Sequence, residues 1–174
     1  MRTGLALVTA TVLALTACGA GSPTGSASSR TPSAATTWAG KAEKIRTRTL
    51  PGLGTILVDG QGQTLYMFPP DHRHKVTCTG ACAGTWPPLH VPKGSKPQAG
   101  RGVKTSLLGS VPNPNPAGGR VVTYHGWPLY LYVGDGKPGQ ANGQALDLNG
   151  GYWYVMRPSG KVIKHPVAEK KGHT

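Results

Sequence analysis

Leu65-Tyr66-Met67-Phe68-Pro69-Pro70-Asp71 and Leu129-Tyr130-Leu131-Tyr132-Val133-Gly134-Asp135 share the pattern Leu-Tyr-x-aromatic-x-x-Asp. In a strand, residues two apart share a face. Tyr66 and Phe68 therefore point one way and Leu65 and Met67 the other; Tyr130 and Tyr132 oppose Leu129 and Leu131 in the same manner. Both faces are apolar, which predicts strands buried on both sides or flanked by loops that fold back. Each copy follows a strand and a glycine turn, and each precedes a tryptophan, Trp86 or Trp153. The shared order marks an internal duplication. The two repeats cover residues 54–91 and 120–164, joined by the Pro- and Gly-rich segment 92–119.

Outward from the motifs, helical periodicity is nearly absent, and short β-rich runs alternate with Gly, Pro and Asn turns. Ile45–Leu50, Thr55–Val58 and Thr64–Phe68 read as a three-stranded meander across Pro51-Gly52-Leu53-Gly54 and Asp59-Gly60-Gln61-Gly62. Val121–Tyr124 and Leu129–Tyr132 flank a His125-Gly126 turn, and Tyr152–Met156 pairs with Lys161–Ile163 across Pro158-Ser159-Gly160. A helical turn fits around Thr79–Gly84. The expected fold is all-β: a small sandwich- or barrel-like domain over residues 41–166, built of two short β repeats and preceded by a disordered tether.

The N-terminus predicts where this domain works. Met1-Arg2-Thr3 precedes a short apolar run that ends at Leu15-Thr16-Ala17-Cys18. A positive start, an apolar stretch and a small-residue cleavage site are the layout of a secretory signal. Cysteine directly after Ala17 makes this a lipoprotein signal, with residues 1–17 removed and Cys18 lipidated. A membrane span needs roughly 20 apolar residues, and this run is shorter and broken by Thr9, Thr11 and Thr16. Residues 18–40 read as the lipidated end and a Gly/Ser/Thr/Pro-rich linker that cannot bury enough apolar surface to fold. Residues 167–174 read as a basic tail. The expected location is the extracytoplasmic face of the cell membrane, held by palmitate and diacylglycerol-type acyl chains.

At these residues the chain resembles a family of secreted bacterial repeat lipoproteins of unknown function, marked by a Tyr-x-(Phe/Trp/Tyr)-x-x-Asp motif. Matching stretches are Thr64–Asp71, Cys78–Cys82 with Trp86-Pro87-Pro88-Leu89, Thr123–Asp135, and the ending from Gly150-Gly151 to Gly160. Pro112-Asn113-Pro114-Asn115-Pro116 departs from the pattern and lengthens the loop before the second repeat. The resemblance implies no particular activity.

The chain has 174 residues with 19 Lys and Arg against 6 Asp and Glu, a formal net charge of +13. Such a balance favours anionic partners. For an exported protein these are lipid headgroups, wall polymers or an envelope protein rather than nucleic acid. The cations are also scattered, without the aromatic interleaving of a nucleic-acid platform.

Four sets of residues could carry chemistry. Tyr66, Phe68 and Asp71, with Tyr130, Tyr132 and Asp135, are either an aromatic platform for a sugar or other ring, or core aromatics whose Asp closes a loop by accepting backbone N–H bonds. With Cys18 lipidated, Cys78 and Cys82 form an even pair in an oxidising compartment, which predicts a disulfide. The alternative is a copper-handling or electron-transfer site from His72, His74, Cys78, Cys82 and His90, whose thiolate and imidazole groups suit copper or zinc. The order His-x-His-x3-Cys-x3-Cys matches no familiar zinc spacing. Asp71 and Asp135 could pair as glycosidase carboxylates. No nucleophile elbow, zinc-protease or phosphate-loop motif accompanies them, so the sequence points to a non-catalytic protein without a cofactor.

Overall fold

The computed structural model describes residues 43–167. The signal segment 1–17, Cys18, the linker and the tail beyond Val167 lie outside the described residues. Ten short strands follow one another: β1 Lys44–Leu50, β2 Gly54–Val58, β3 Tyr66–Met67, β4 His90–Val91, β5 Gln98–Ala99, β6 Leu108–Pro112, β7 Arg120–Tyr124, β8 Trp127–Pro128, β9 Leu146–Asp147 and β10 Tyr152–Val155. One helix, α1 (Ala81–Thr85), and 3-10 turns at Pro69–Asp71 and Thr105–Leu107 complete the described elements. The fold is all-β, as expected. The strands form three small sheets, ordered β2-β1-β5, β3-β10-β9 and β4-β7-β6 with β8 added to β7. Among the described residues no helix is long and apolar enough to cross a membrane.

The Pro51–Gly54 turn joins β1 to β2 antiparallel, Thr49 opposite Thr55 and Arg46 opposite Val58. The meander does not continue as expected. Thr64 bridges Val58 and the Leu65 N–H donates to the Leu57 carbonyl at 3.2 Å, but β3 gives its ladder to β10, with Val155 opposite Tyr66. The His125-Gly126 turn does join two paired strands, but the second is β8 at Trp127–Pro128 and not the expected Leu129–Tyr132, where Tyr130 makes isolated bridges to Tyr66 and Pro88. The ending pairs as expected too: Met156 bridges Val162, and the Arg157 N–H donates to the Lys161 carbonyl at 2.8 Å. Segment 92–119 is more than a connector, since β5 runs parallel to β1 and β6 pairs with β7.

The alternation of the motif strands divides the interior into two cores. Tyr66, Phe68 and Tyr130 lie in an aromatic core with Trp86 and Trp153. Leu65, Met67 and Leu129 lie in an aliphatic core with Ile45, Leu57, Leu89, Val122 and Met156. Period-two alternation thus sends each motif strand's two faces into different apolar clusters, and burial at both faces holds its register.

The repeats are interlaced. Tyr66 and Tyr130 exchange both backbone bonds, each N–H donating to the other's carbonyl at 2.9 Å. The stretch after Trp86, in the first repeat, then runs along the second motif: Leu131 donates to Pro87 at 2.9 Å and Leu89 to Leu129 at 2.8 Å. The strand carrying Trp153, in the second repeat, lies along the first motif. Each repeat therefore contributes backbone partners to the other's motif as well as to its own.

Candidate functional site

The two motifs meet in one buried cluster. Phe68 stacks on Trp153 with ring centroids 4.2 Å apart, Trp153 on Trp86 at 3.9 Å, and Trp86 on Tyr132 at 4.2 Å. The four rings form a ladder that alternates between repeats. Tyr66 meets Trp86 edge-on at 5.4 Å, and Tyr130 meets Trp153 edge-on at 5.2 Å. Offset or edge-on aromatic pairs each contribute about 0.5–1.5 kcal/mol beyond their area burial. Only Tyr132, at one end of the ladder, is partly open to solvent; Tyr66, Trp86, Tyr130 and Trp153 are fully buried.

The carboxylates of the motif also cross over. The Tyr66 hydroxyl donates to Asp135 Oδ2 at 2.6 Å, and the Tyr130 hydroxyl donates to Asp71 Oδ2 at 2.5 Å. Each Asp completes its own loop as well. Asp71 accepts from the Thr77 N–H and hydroxyl, both at 2.7 Å, and Asp135 from the Asn142 N–H at 2.8 Å. Burial, followed by the charge of the facing carboxylate, pushes both phenols far above the ordinary tyrosine range, so they stay protonated as donors. Burial also pushes the Asp135 carboxyl up, against the pull of the Tyr66 hydroxyl and the Asn142 N–H. The motif is consequently an internal lock. Its rings pack mainly on one another, with Tyr132 alone partly open, and both carboxylates are buried.

Cys78 and Cys82 form a disulfide, with Cα atoms 5.2 Å apart, tying the loop before α1 to its first turn. The Trp86 N–H donates to the Cys82 carbonyl at 2.7 Å, so this loop seats one of the ladder tryptophans. The candidate metal set is not assembled. Oxidation removes both thiolates, His72 and His74 lie on an exposed loop, and His90 Nε2 contacts the Gly118 carbonyl. Among the described residues no three His, Cys, Asp or Glu side chains gather as a metal site.

Sequence reasoning missed how the chain distributes its charge. Glu43, Asp59, Asp71 and Asp135 are all buried, leaving Asp147 as the exposed carboxylate among the described residues. Glu43 accepts from the Gly60 N–H at 3.3 Å. Asp59 accepts from Gln61 and Gln63 at 2.9 and 2.8 Å. Burial raises both carboxyls above their usual range. Lys44, Arg46, Arg48, Arg73, Lys75, Lys93, Lys96, Arg101, Lys104, Lys137, Lys161 and Lys164 are exposed. The Asp-Gly dipeptide at 59–60 was the one local signal, because Asp before Gly commonly bonds its own turn.

The model of a secreted repeat of unknown function matches the chain twice, over residues 48–90 and 115–157. The chain belongs to this secreted-repeat family. Each match contains one copy of the Tyr-x-aromatic-x-x-Asp pattern and one of the ladder tryptophans. The family places the protein among exported proteins. No curated protein and no solved structure matches the chain.

Proposed function

We propose that this secreted-repeat protein is a non-catalytic envelope module, held at the outer face of the membrane by a lipid on Cys18, whose cationic surface binds an anionic polymer of the envelope. The observation that carries this reading is the inward turn of four carboxylates, which leaves the exposed cations almost unopposed. A surface of one sign attracts polyanions over a screening length of about 8 Å at physiological ionic strength. Both polar groups of the repeat motif are spent on holding the two halves together. That use suits a rigid scaffold, and the interlaced core keeps the charged loops on a fixed frame.

The test is a pull-down of the full exported chain on immobilised polyglycerol phosphate across a salt series. Retention at low salt and release near 0.5 M is the expected result, because surface electrostatics are screened. Absence of binding, or binding indifferent to salt, would overturn the reading. The anchor is tested separately by labelled palmitate, whose incorporation is expected to vanish in Cys18→Ser.

A further inference from the structure

Between the Arg73-His74 loop and the β7–β8 turn lies a cleft of about 300 Å³, lined in part by Arg73, His74, Ser106, Thr123, His125 and Gly126. Its polar groups are a guanidinium, two imidazoles and two hydroxyls, and no carboxylate borders it. We propose that this cleft binds a tetrahedral oxyanion, the phosphate group of the anionic partner. The inference deepens the polyanion reading and rests on it for the identity of that partner.

The first support is backbone strain. Among the described residues glycine takes a positive φ at twelve positions. Five other described residues take a positive φ, and three are histidines: His72 at 56°, His74 at 64° and His125 at 51°. A side chain at such a φ is unfavourable relative to glycine. Strained residues that persist cluster where the side chain has work to do. His74 and His125 come from different repeats, yet both border this one cleft.

The second support is that the cleft is built. The His74 N–H donates to the Gly126 carbonyl at 2.8 Å, tying the loop to the turn. A Cβ on Gly126 would fall 2.9 Å from His74 Nε2, and one on Gly160 would fall 2.8 Å from His125 Nδ1. Each imidazole is thus seated on a glycine that leaves it room. His90 and His165 contact backbone carbonyls through a ring nitrogen, whereas among the described residues the His74 and His125 rings hold no protein hydrogen bond. A cationic side chain sits at the matching turn of the first repeat. Gly62 precedes Tyr66 as Gly126 precedes Tyr130, and a Cβ on Gly62 would fall 3.1 Å from Arg48 Nη2.

Guanidinium, imidazole and hydroxyl donors together suit phosphate oxygens, and arginine can offer two parallel N–H bonds to them. The phosphate could be free or carried in a polymer, so the test uses both sources. Inorganic phosphate and polyglycerol phosphate are titrated separately into the full exported chain, followed by backbone and imidazole NMR shifts and by calorimetry. Saturation by one inorganic phosphate, with the largest shifts at His74 and His125, is expected. Replacing both with glycine (His74→Gly, His125→Gly) should leave the melting temperature equal or higher, because strain is relieved, while weakening phosphate binding about tenfold or more. Arg73→Gln, at an exposed position, should weaken it by about tenfold as well. His72→Gly, strained but outside the cleft lining, should leave affinity unchanged. Phosphate affinity unchanged in Arg73→Gln, or glycine variants that melt lower yet bind as the parent does, would overturn the site. Polymer binding that survives in all variants while inorganic phosphate gives no saturable shift would sink the cleft and leave the surface reading intact. Saturable phosphate binding without retention of the polymer would sink the surface reading and leave the cleft.

Discussion

Tyr66 and Tyr130 each donate a phenolic hydrogen bond to a carboxylate 69 or 59 residues away in sequence, in the other repeat. A buried carboxylate needs such donors, because an unpaired charge in an apolar setting is costly. The Tyr66 hydroxyl pulls the Asp135 carboxyl down while burial pushes it up, and burial prevails. A raised folded pKa contributes stability that is full below the unfolded value of about 3.9 and is lost as pH rises through the folded value. Removing the hydroxyl raises that folded value further. Tyr66→Phe should therefore destabilise by about 1.5–3 kcal/mol at pH 7, the range for hydrogen bonds to charged groups, and by less at pH 4. Urea melts at the two pH values check this. An equal loss at both would mean that the charge on Asp135 is not what the phenol stabilises.

The two ladder tryptophans are equivalent in stacking and unequal in hydrogen bonding. Trp153 Nε1 donates to the Leu148 carbonyl at 2.9 Å, whereas Trp86 Nε1 is buried with no partner among the described residues. The elements that carry them differ accordingly. Trp153 sits in β10 beside its β9 partner, while Trp86 follows α1 in a loop pinned by the Cys78–Cys82 disulfide. A disulfide closing so short a loop contributes only about 2 kcal/mol by loop entropy, so fixing the position of Trp86 is its larger local effect. Both changes to phenylalanine shrink a buried ring, but only Trp153→Phe strands a carbonyl. It should cost about 1–2 kcal/mol more than Trp86→Phe, measured by chemical denaturation. Equal costs would imply that Trp86 Nε1 finds a partner in solution.

For the molecule as a whole, interlacing makes the halves interdependent. The exposed turn at Lys93-Gly94 separates them, leaving β1 to β4 on one side and β5 to β10 on the other. Each half then holds a motif strand with backbone partners in the other half. A protease site placed in this turn should allow cleavage without dissociation, the halves eluting together with their near-ultraviolet aromatic dichroism intact. Halves separated in denaturant and returned to buffer alone should lack that signal, and mixing them should restore it. A half that regained the signal alone would show that each repeat can close on itself. The same rigidity supports the cationic loops, since charge held on a fixed frame loses less entropy when a polymer binds.

The sequence by itself pointed to short strands around the first motif, the duplication, the disulfide pair and apolar cover on both faces of each motif segment. All of these are local: face alternation, turn residues and cysteine parity are written within a few positions of one another. Its charge balance also pointed to anionic partners. Only the tertiary structure decided which repeat completes which. Closure of a repeat on itself and exchange between repeats satisfy the same alternation, since the copies carry interchangeable Tyr, Trp and Asp residues. The two-residue strands β4, β5, β8 and β9 were equally hidden, because a neighbouring backbone makes them strands and no side-chain pattern does. Tertiary structure likewise decided that His74 and His125 face one cleft and that four carboxylates turn inward. Those outcomes depend on where loops from distant segments meet, and burial at such a meeting point has no period along the chain.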